Sequence, residues 1–377
     1  MERIIKHYLF HLIFLLFLMA SAGINWYAGR WIASSFHLNR LIRLLPLLFV
    51  AAGLLAFGTM RLRHFAAFPG SAALSFIGFS WMGGILIAAT SFAFCSLIFF
   101  ILRKCSVIVP QHMQAWITVV FAALCLASSF YNGFCQPKIR NIELRSDKLP
   151  QALDGYRIVQ LSDLHLDSKV KMDSFRRTME RINKLNPNMV LITGDVIDPG
   201  VDLSDASKGY FNALKAKDGV YACLGNHEYY FGLEESIDLF SRFGLKLLHN
   251  DSIETAGLRL TGIGDIKSER LDAAAAASYA GRNPSMPEIV LSHEPLYYKE
   301  FAEKGTMLVL SGHTHRGQIF PFHLFVRIVY PFFYGHYAID GTHFYVTSGT
   351  GSWGPRMRFL AAPEIPLITL RAVPAEK

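Results

Sequence analysis

The chain has 377 residues, 52% of them hydrophobic, and its 37 Lys/Arg against 29 Asp/Glu give a formal charge of +8. Residues 1–135 hold nine Lys/Arg and one acidic residue, Glu2, which leaves 28 of each sign in residues 136–377. The excess charge therefore belongs to an apolar N-terminal third; this excludes a basic nucleic-acid-binding face on the remainder and fits a membrane anchor whose short loops carry Lys and Arg.

No Asp, Glu, Lys or Arg occurs between Lys6 and Arg30, Arg43 and Arg61, Arg63 and Arg103, or Lys104 and Lys138. Each gap holds a mostly apolar core, and a helix crosses the hydrocarbon layer with about 20 such residues, or as few as about 17. Four transmembrane helices are expected, making residues 1–135 a multi-pass anchor in the cell membrane. "ASA" at 20–22 could end a signal peptide, but three further spans favour a retained anchor. Trp26, Tyr27, Trp31, Trp81 and Trp116 suit the membrane interfaces, with Trp81 placed to sit deeper. An even number of spans puts both chain ends on one side. That side holds Arg3, Lys6, Arg61, Arg63, Lys138, Arg140, Arg145 and Lys148; the other holds Arg30, Arg40, Arg43, Arg103 and Lys104. The balance leans towards a cytoplasmic C-terminal domain. Spans without Asp, Glu, Lys or Arg argue against a transporter, and His11 alone lies well inside one. Cys95, Cys105, Cys125, Cys135 and Cys223 include no C-x-x-C pair and mark neither a zinc motif nor a disulfide framework.

Residues 136–150 read as a polar, Pro-containing linker, and residues 151–377 as one domain. Within it the runs "YRIVQL", "NMVLIT", "GVYACL", "LRLTGIG", "EIVLS", "TMLVLS" and "HFYVTS" are strand-like. The helical patterns "SFRRTMERINKLN", "EESIDLFSRFG" and "RLDAAAAASYA" fall between several of them. Alternation of this kind predicts a layered α/β domain.

Five of the apolar strands run into loops that open with chemistry. "YRIVQL" leads to Asp163 and His165, "NMVLIT" to Asp195, "GVYACL" to Asn226 and His227, "EIVLS" to His293, and "TMLVLS" to His313 and His315. Singly each is weak, since a Gly-Asp after a strand is most often a turn and a lone His most often structural. Together they point to one crevice, because ligands in α/β sheets bind beyond the carboxyl ends of strands. Carboxylates, imidazoles and one amide form a mixed oxygen and nitrogen donor set suited to Mn, Fe or Zn. Seven donors exceed a tetrahedral site, so two divalent metal ions are expected.

The ordered motifs "DLH", "GDVID", "GNHE", "SHEP" and "GHTH" resemble those of the calcineurin-like metallophosphoesterases over about residues 150–365. "LSGHTHRGQI" and "YVTSGTGSWGPRMR" resemble its bacterial membrane-associated phosphodiesterase branch, and the preceding helices resemble transmembrane metallophosphoesterase-domain proteins. The resemblance implies an α/β fold, a layered β-sandwich flanked by helices. It implies that Asp163, His165 and His315 hold one metal, that Asn226, His293 and His313 hold the other, and that Asp195 bridges them. His227 is then no ligand but faces the substrate as the catalytic residue. The implied reaction is attack of a metal-bridging hydroxide on a phosphate ester, with His227 stabilising the transition state or protonating the leaving oxygen.

The expected activity is that of a membrane-anchored phosphodiesterase. A lipid-linked pyrophosphate hydrolase such as a UDP-2,3-diacylglucosamine pyrophosphatase is the alternative within the class; a metal-clamped, non-catalytic membrane scaffold or sensor is the alternative outside it. Arg316, beside the H-x-H pair, is either a phosphate contact or a solvated surface residue. "IFPFHLFVRIVYPFFYGHYA", residues 319–338, has one formal charge and two prolines, Pro321 and Pro331. It reads either as a packed loop or as an apolar lip that meets lipid.

Overall fold

Long runs without formal charge become long helices: α1 (Glu2–Ser35), α2 (Leu45–Phe65), α3 (Ser71–Lys104) and α4 (Gln111–Phe134). The computed structural model describes residues 2–38, 44–65, 71–201, 203–204, 207–281, 283 and 285–373, with side-chain surroundings for all of these except 2–14, 17, 59–65 and 71–72. Among the described residues, two helices are long and apolar enough to cross a membrane, Ala73–Lys104 and Gln111–Phe134, while Leu45–Gly58 is apolar but shorter. The expectation of four spans thus finds two that meet the length and hydropathy of a crossing. Arg40 and Arg43, and the side chains of Arg3, Lys6, His11, Arg61 and Arg63, lie outside the described residues.

The helices and the segment Gly354–Phe359 form one compact unit; Cys135–Trp353 and Leu360–Lys377 form the other. In the helical unit the buried Asn25 amide accepts from the Trp81 indole N–H at 3.0 Å and donates to the Ser21 carbonyl at 2.9 Å. A polar group inside an apolar bundle is stable when paired in this way. Trp81 accordingly reaches an inward partner. Gly53 makes room: a Cβ there would stand 2.7 Å from the Asn25 amide nitrogen.

The second unit is a sandwich of two six-stranded sheets. Its elements in chain order are β1 (Lys138–Ser146), β2 (Arg157–Leu161), α5 (Lys169–Asn183), β3 (Met189–Thr193), β4 (Val220–Cys223), α6 (Asn226–Phe231), α7 (Leu233–Phe243), β5 (Lys246–Leu247), β6 (Asp251–Thr255), β7 (Leu258–Gly262), α8 (Ala273–Ser278), β8 (Glu288–Leu291), α9 (Tyr298–Glu303), β9 (Leu308–Ser311), α10 (Phe322–Val329), β10 (Gly335–Ile339), β11 (Thr342–Val346) and β12 (Glu364–Ala372). One sheet runs β1-β12-β2-β3-β4-β5 and the other β10-β11-β9-β8-β7-β6. The central strands pair in parallel, and such strands are covered on both faces and almost wholly apolar. The period of two then sorts them. Ile158, Met189 and Leu191 face Leu260, Ile289, Leu308 and Leu310 between the sheets. Val159, Val190 and Ile192 face outward onto Phe175 and Met179 of α5 and Phe240 and Phe243 of α7. Val290, Val309 and Phe344 cover the outer face of the other sheet with Phe301 of α9. The layers are helix, sheet, sheet, helix.

The segment expected as a linker at 136–150 is instead mostly strand. All nine residues of β1 pair in parallel with β12, from Lys138 opposite Glu364 to Ser146 opposite Ala372. The partner lies at the far end of the chain, and no local pattern in a polar strand announces it. The stretch 319–338 also divides. Ile319 and Tyr330 are buried, whereas α10 between them buries no residue and leaves Phe322, Leu324, Phe325, Ile328 and Val329 exposed.

Candidate metal centre

Every residue expected at the site leaves the carboxyl end of a strand. β2 leads to Asp163 and His165, β3 to Asp195, β4 to Asn226 and His227, β8 to His293 and β9 to His313 and His315. The first three strands belong to one sheet and the last two to the other. The donors therefore meet across both sheets of the sandwich, not along the crevice of a single sheet. Two bonds stitch the halves together: His293 Nδ1 faces the Thr193 carbonyl at 2.7 Å, and the His313 N–H donates to Asp163 Oδ1 at 3.0 Å. The approach is close enough to need glycine. A Cβ on Gly312 would stand 1.9 Å from Ser162 Oγ, and one on Gly194, at φ +79°, would stand 2.6 Å from the Gly225 nitrogen.

The structure brings all eight expected residues together. His315 Nε2 lies 3.0 Å from His165 Nε2 and 3.4 Å from Asp163 Oδ1. His313 Nδ1 lies 2.9 Å from Asn226 Oδ1 and 3.3 Å from His293 Nε2. Asp195 stands between the two groups, with Oδ2 3.2 Å from His293 Nε2 and 3.7 Å from His165 Nε2. Donor atoms of Asp163, His165 and His315 all lie within 4.8 Å of one another, as do those of Asp195, His293 and His313. A third such group is His165, Asp195 and His227.

The donor chemistry fits cations. His165 Nδ1 faces the Asp198 carboxylate at 3.1 Å, and His293 Nδ1 faces a carbonyl. Those partners assign the ring protons to Nδ1. When these rings are neutral, as ligands must be, the inward Nε2 atoms are lone pairs, and each faces another imidazole nitrogen at hydrogen-bond distance. Bare lone pairs repel at such range and call for a positive charge between them. Without a cation there, burial pulls the His293 pKa down, but the carboxylates of Asp195 and Asp163 outweigh it and raise the pKa, so that ring carries the positive charge itself. Asp163 Oδ2 is buried with no hydrogen-bond partner, which likewise leaves an acceptor for a cation. Burial, and then the charge of His293, hold the pKa of His313 down to about 3, so its ring is a neutral donor. Burial raises the Asp163 pKa; on Asp195 burial also pushes upward, but His293, His227 and His165 together outweigh it and lower the pKa.

His227 is set apart by its partner. Burial alone would lower its pKa, but the hydrogen bond from Nδ1 to Asp198, with Asp195 and Glu228 nearby, raises it to about 9. Its backbone N–H donates to Asp195 Oδ1 at 2.9 Å. The exposed rings of Tyr230 and Trp353 flank it, with centroids 5.4 and 6.1 Å away.

Four further residues, Asp198, Glu228, Glu294 and Tyr330, build the site and were given no role in the sequence. Asp198 orients both His165 and His227; the signal was its place as the last letter of "GDVID". Glu228, the last letter of "GNHE", accepts from the backbone N–H groups of Gly225, Asp195, Val196 and Ile197 at 2.7–3.2 Å. Tyr330 O–H donates to Glu294 at 2.9 Å and stands 2.9 Å from His313 Nε2, which supports the neutral ring from behind. Arg316 turns elsewhere, its guanidinium 4.3 Å from the centroid of the Tyr334 ring.

Glu228→Ala would leave four buried N–H groups without their acceptor, and each orphan donor costs about 1–3 kcal/mol. The expected result is a stability loss of about 3 kcal/mol or more, with weaker metal uptake and a smaller loss for Glu228→Gln. Denaturation of the metal-free protein and metal titration read both; a variant as stable as wild type would remove the role assigned to this carboxylate.

Comparison with known proteins identifies the family of this domain. Residues 156–317 match the calcineurin-like phosphoesterase family. An uncharacterized metallophosphoesterase of Helicobacter pylori is 36% identical over 64% of this chain and 66% of its own length. One from Campylobacter jejuni is 31% identical over 67% and 68%. A transmembrane protein with metallophosphoesterase domain from Danio rerio is 32% identical over 68% and 63%. A protein named UDP-2,3-diacylglucosamine pyrophosphatase, from Chlamydia muridarum, is 27% identical over 60% and 87%. The chain thus spans about two thirds of the length of the curated relatives it matches first. On this domain, with its ordered donors at the strand ends, the chain belongs to the calcineurin-like metallophosphoesterase family.

Proposed function

We propose that this protein is a membrane-anchored, two-metal phosphohydrolase acting on phosphate diesters. The observation that carries the reading is the pair of donor groups with Asp195 between them. In this reading Asp163, His165 and His315 hold one divalent ion, Asn226, His293 and His313 hold the other, and Asp195 serves both. The donor set suits Mn, Fe or Zn. Such ions supply Lewis acidity at the phosphoryl oxygens and a water made acidic towards neutral pH. The chain's own residues do the rest. Asp198 holds His227 charged and oriented, so that its Nε2 can meet a phosphoryl oxygen or pass a proton to the leaving oxygen. Residues 1–135 act as the membrane anchor, with Ala73–Lys104 and Gln111–Phe134 as its spans, and residues 151–377, joined by β1, as the catalytic domain on the cytoplasmic side.

A lipid-linked substrate, including the pyrophosphate of the Chlamydia muridarum relative's name, is the second reading. It is favoured by α10, whose five exposed apolar side chains follow directly on the H-x-H loop. An apolar surface of that kind ordinarily meets a partner, a ligand or lipid.

Asp195→Ala is expected to lose both bound metal and hydrolysis of bis(p-nitrophenyl) phosphate. His227→Ala is expected to keep its metal and lose turnover by about 10²–10⁴-fold. Elemental analysis beside the chromogenic assay separates the two; wild-type rates in both variants would overturn the site, and a metal-loaded but inert wild type would favour the scaffold. Replacing Phe325 and Ile328 with Ser should depress cleavage of a diester in vesicles while sparing a soluble one, and equal loss on both would remove the lipid reading. Protease added to intact cells should leave the catalytic domain whole; its digestion there would place the domain outside.

A further inference from the structure

A sixth strand end carries a carboxylate that the two-metal reading does not use. β7 lies beside β8 in the sheet, and the loop after it presents Asp265 much as the loop after β8 presents His293. Asp265 is fully buried. Its Oδ2 accepts from the Ser268 N–H at 3.0 Å, while its Oδ1 has no hydrogen-bond partner. A buried carboxylate oxygen left unmet is costly, so its retention asks for something that comes to meet it.

The side chain lines a cavity of about 330 Å³ that also reaches Asn226 and His313, two of the expected ligands, with Tyr230, Lys267 and Glu294 on its walls. That volume lies at the small end of ligand sites. The charges on its walls are not equal. Lys267 Nζ is 2.7 Å from Glu294 and also bonds the Tyr330 hydroxyl, so Glu294 is compensated. Asp265 has no ion pair at contact distance among the described residues, the His293 ring acting on it only through space, and none of the donor clusters able to hold a metal there includes it. The wall at Asp265 therefore selects a hydrogen-bond donor. A group that reaches this cavity from a phosphorus held beside Asn226 and His313 is a substituent on that phosphorus.

We propose that this cavity is a substrate subsite, and that the Asp265 carboxylate receives a hydroxyl or ammonium group borne by a small substituent on the phosphorus. The proposal rests on the phosphohydrolase reading and adds the class of substituent. It predicts that the preferred esters carry a polyol or amino alcohol near the phosphate.

The test is binding, which does not depend on turnover. Glycerol 3-phosphate, phosphoethanolamine, 2-methoxyethyl phosphate and ethyl phosphate are titrated calorimetrically into the manganese-loaded full chain in detergent. Glycerol 3-phosphate or phosphoethanolamine should bind about tenfold more tightly than the two ligands without a donor, as one buried hydrogen bond implies. Which of them leads tells hydroxyl from ammonium. Asp265→Ala should bring the favoured ligand down to the ethyl phosphate value, with metal content and ethyl phosphate affinity held within about twofold of wild type. Asp265→Asn, which keeps the shape and one acceptor oxygen, should retain a preference for the hydroxyl and lose one for the ammonium. Equal affinity of wild type for all four ligands, tighter binding of the acceptor-only methoxyethyl ester, or equal losses on every ligand in Asp265→Ala would each overturn the proposal. Failure of the hydrolytic reading would show separately, as absent cleavage of bis(p-nitrophenyl) phosphate by wild type.

Discussion

One buried carboxylate sets the geometry of the centre. Glu228 is wholly removed from solvent and gathers four backbone N–H groups from the loops after β3 and β4. Those loops carry Asp195, Asn226 and His227. Burial pushes the Glu228 pKa up to about 7, against the pull of the backbone donors, so the group sits between its two charge states. A charge in such a place is tolerable only because donors surround it. The bond from His293 to the Thr193 carbonyl then ties this half to the second sheet. The centre exists only when the two sheets are packed, and any metal it takes adds its binding energy to the stability of the sandwich.

Asp198 couples two duties that the donor list keeps separate. It faces Nδ1 of His165 at 3.1 Å and also bonds Nδ1 of His227. One carboxylate thus fixes the tautomer of an expected ligand and the charge of the expected acid. Such partners matter nearly as much as the ligands themselves, because they decide which ring nitrogen is left bare.

Much of this was legible in the sequence. Apolar runs ending in Asp, Asn or His named five strands and all eight residues that converge, since both signals are local. The helices α5 and α7 followed from their apolar period, and Phe175, Met179, Phe240 and Phe243 indeed face the sheet. What stayed hidden depends on distant partners. β1 is polar and becomes a strand only through β12, so it read as a linker. Glu228 passed without a role in "GNHE", because its four donors lie on two separate loops. Tyr330 was lost in an aromatic stretch whose division into buried ends and an exposed α10 has no composition signature. The uncharged gaps gave four helices, but a gap between charges is a weaker criterion than sustained length and hydropathy, which two helices meet among the described residues.

Asp163, His165, Asp195, His313 and His315 all have φ between +47° and +67°, and none is glycine. A left-handed backbone at a residue with a Cβ stores on the order of 1 kcal/mol, and Asp and His tolerate it better than most. The fold thus holds five of its most consequential side chains in conformations it would otherwise relax. Glycine would release that strain without making the protein sturdier, because Asp163 and Asp195 also accept the backbone N–H groups of His313 and His227, and a buried donor left without its acceptor costs about 1–3 kcal/mol. The bent backbone and the bonds that hold it are one device, so a lineage that abandoned the chemistry would still be slow to discard these side chains.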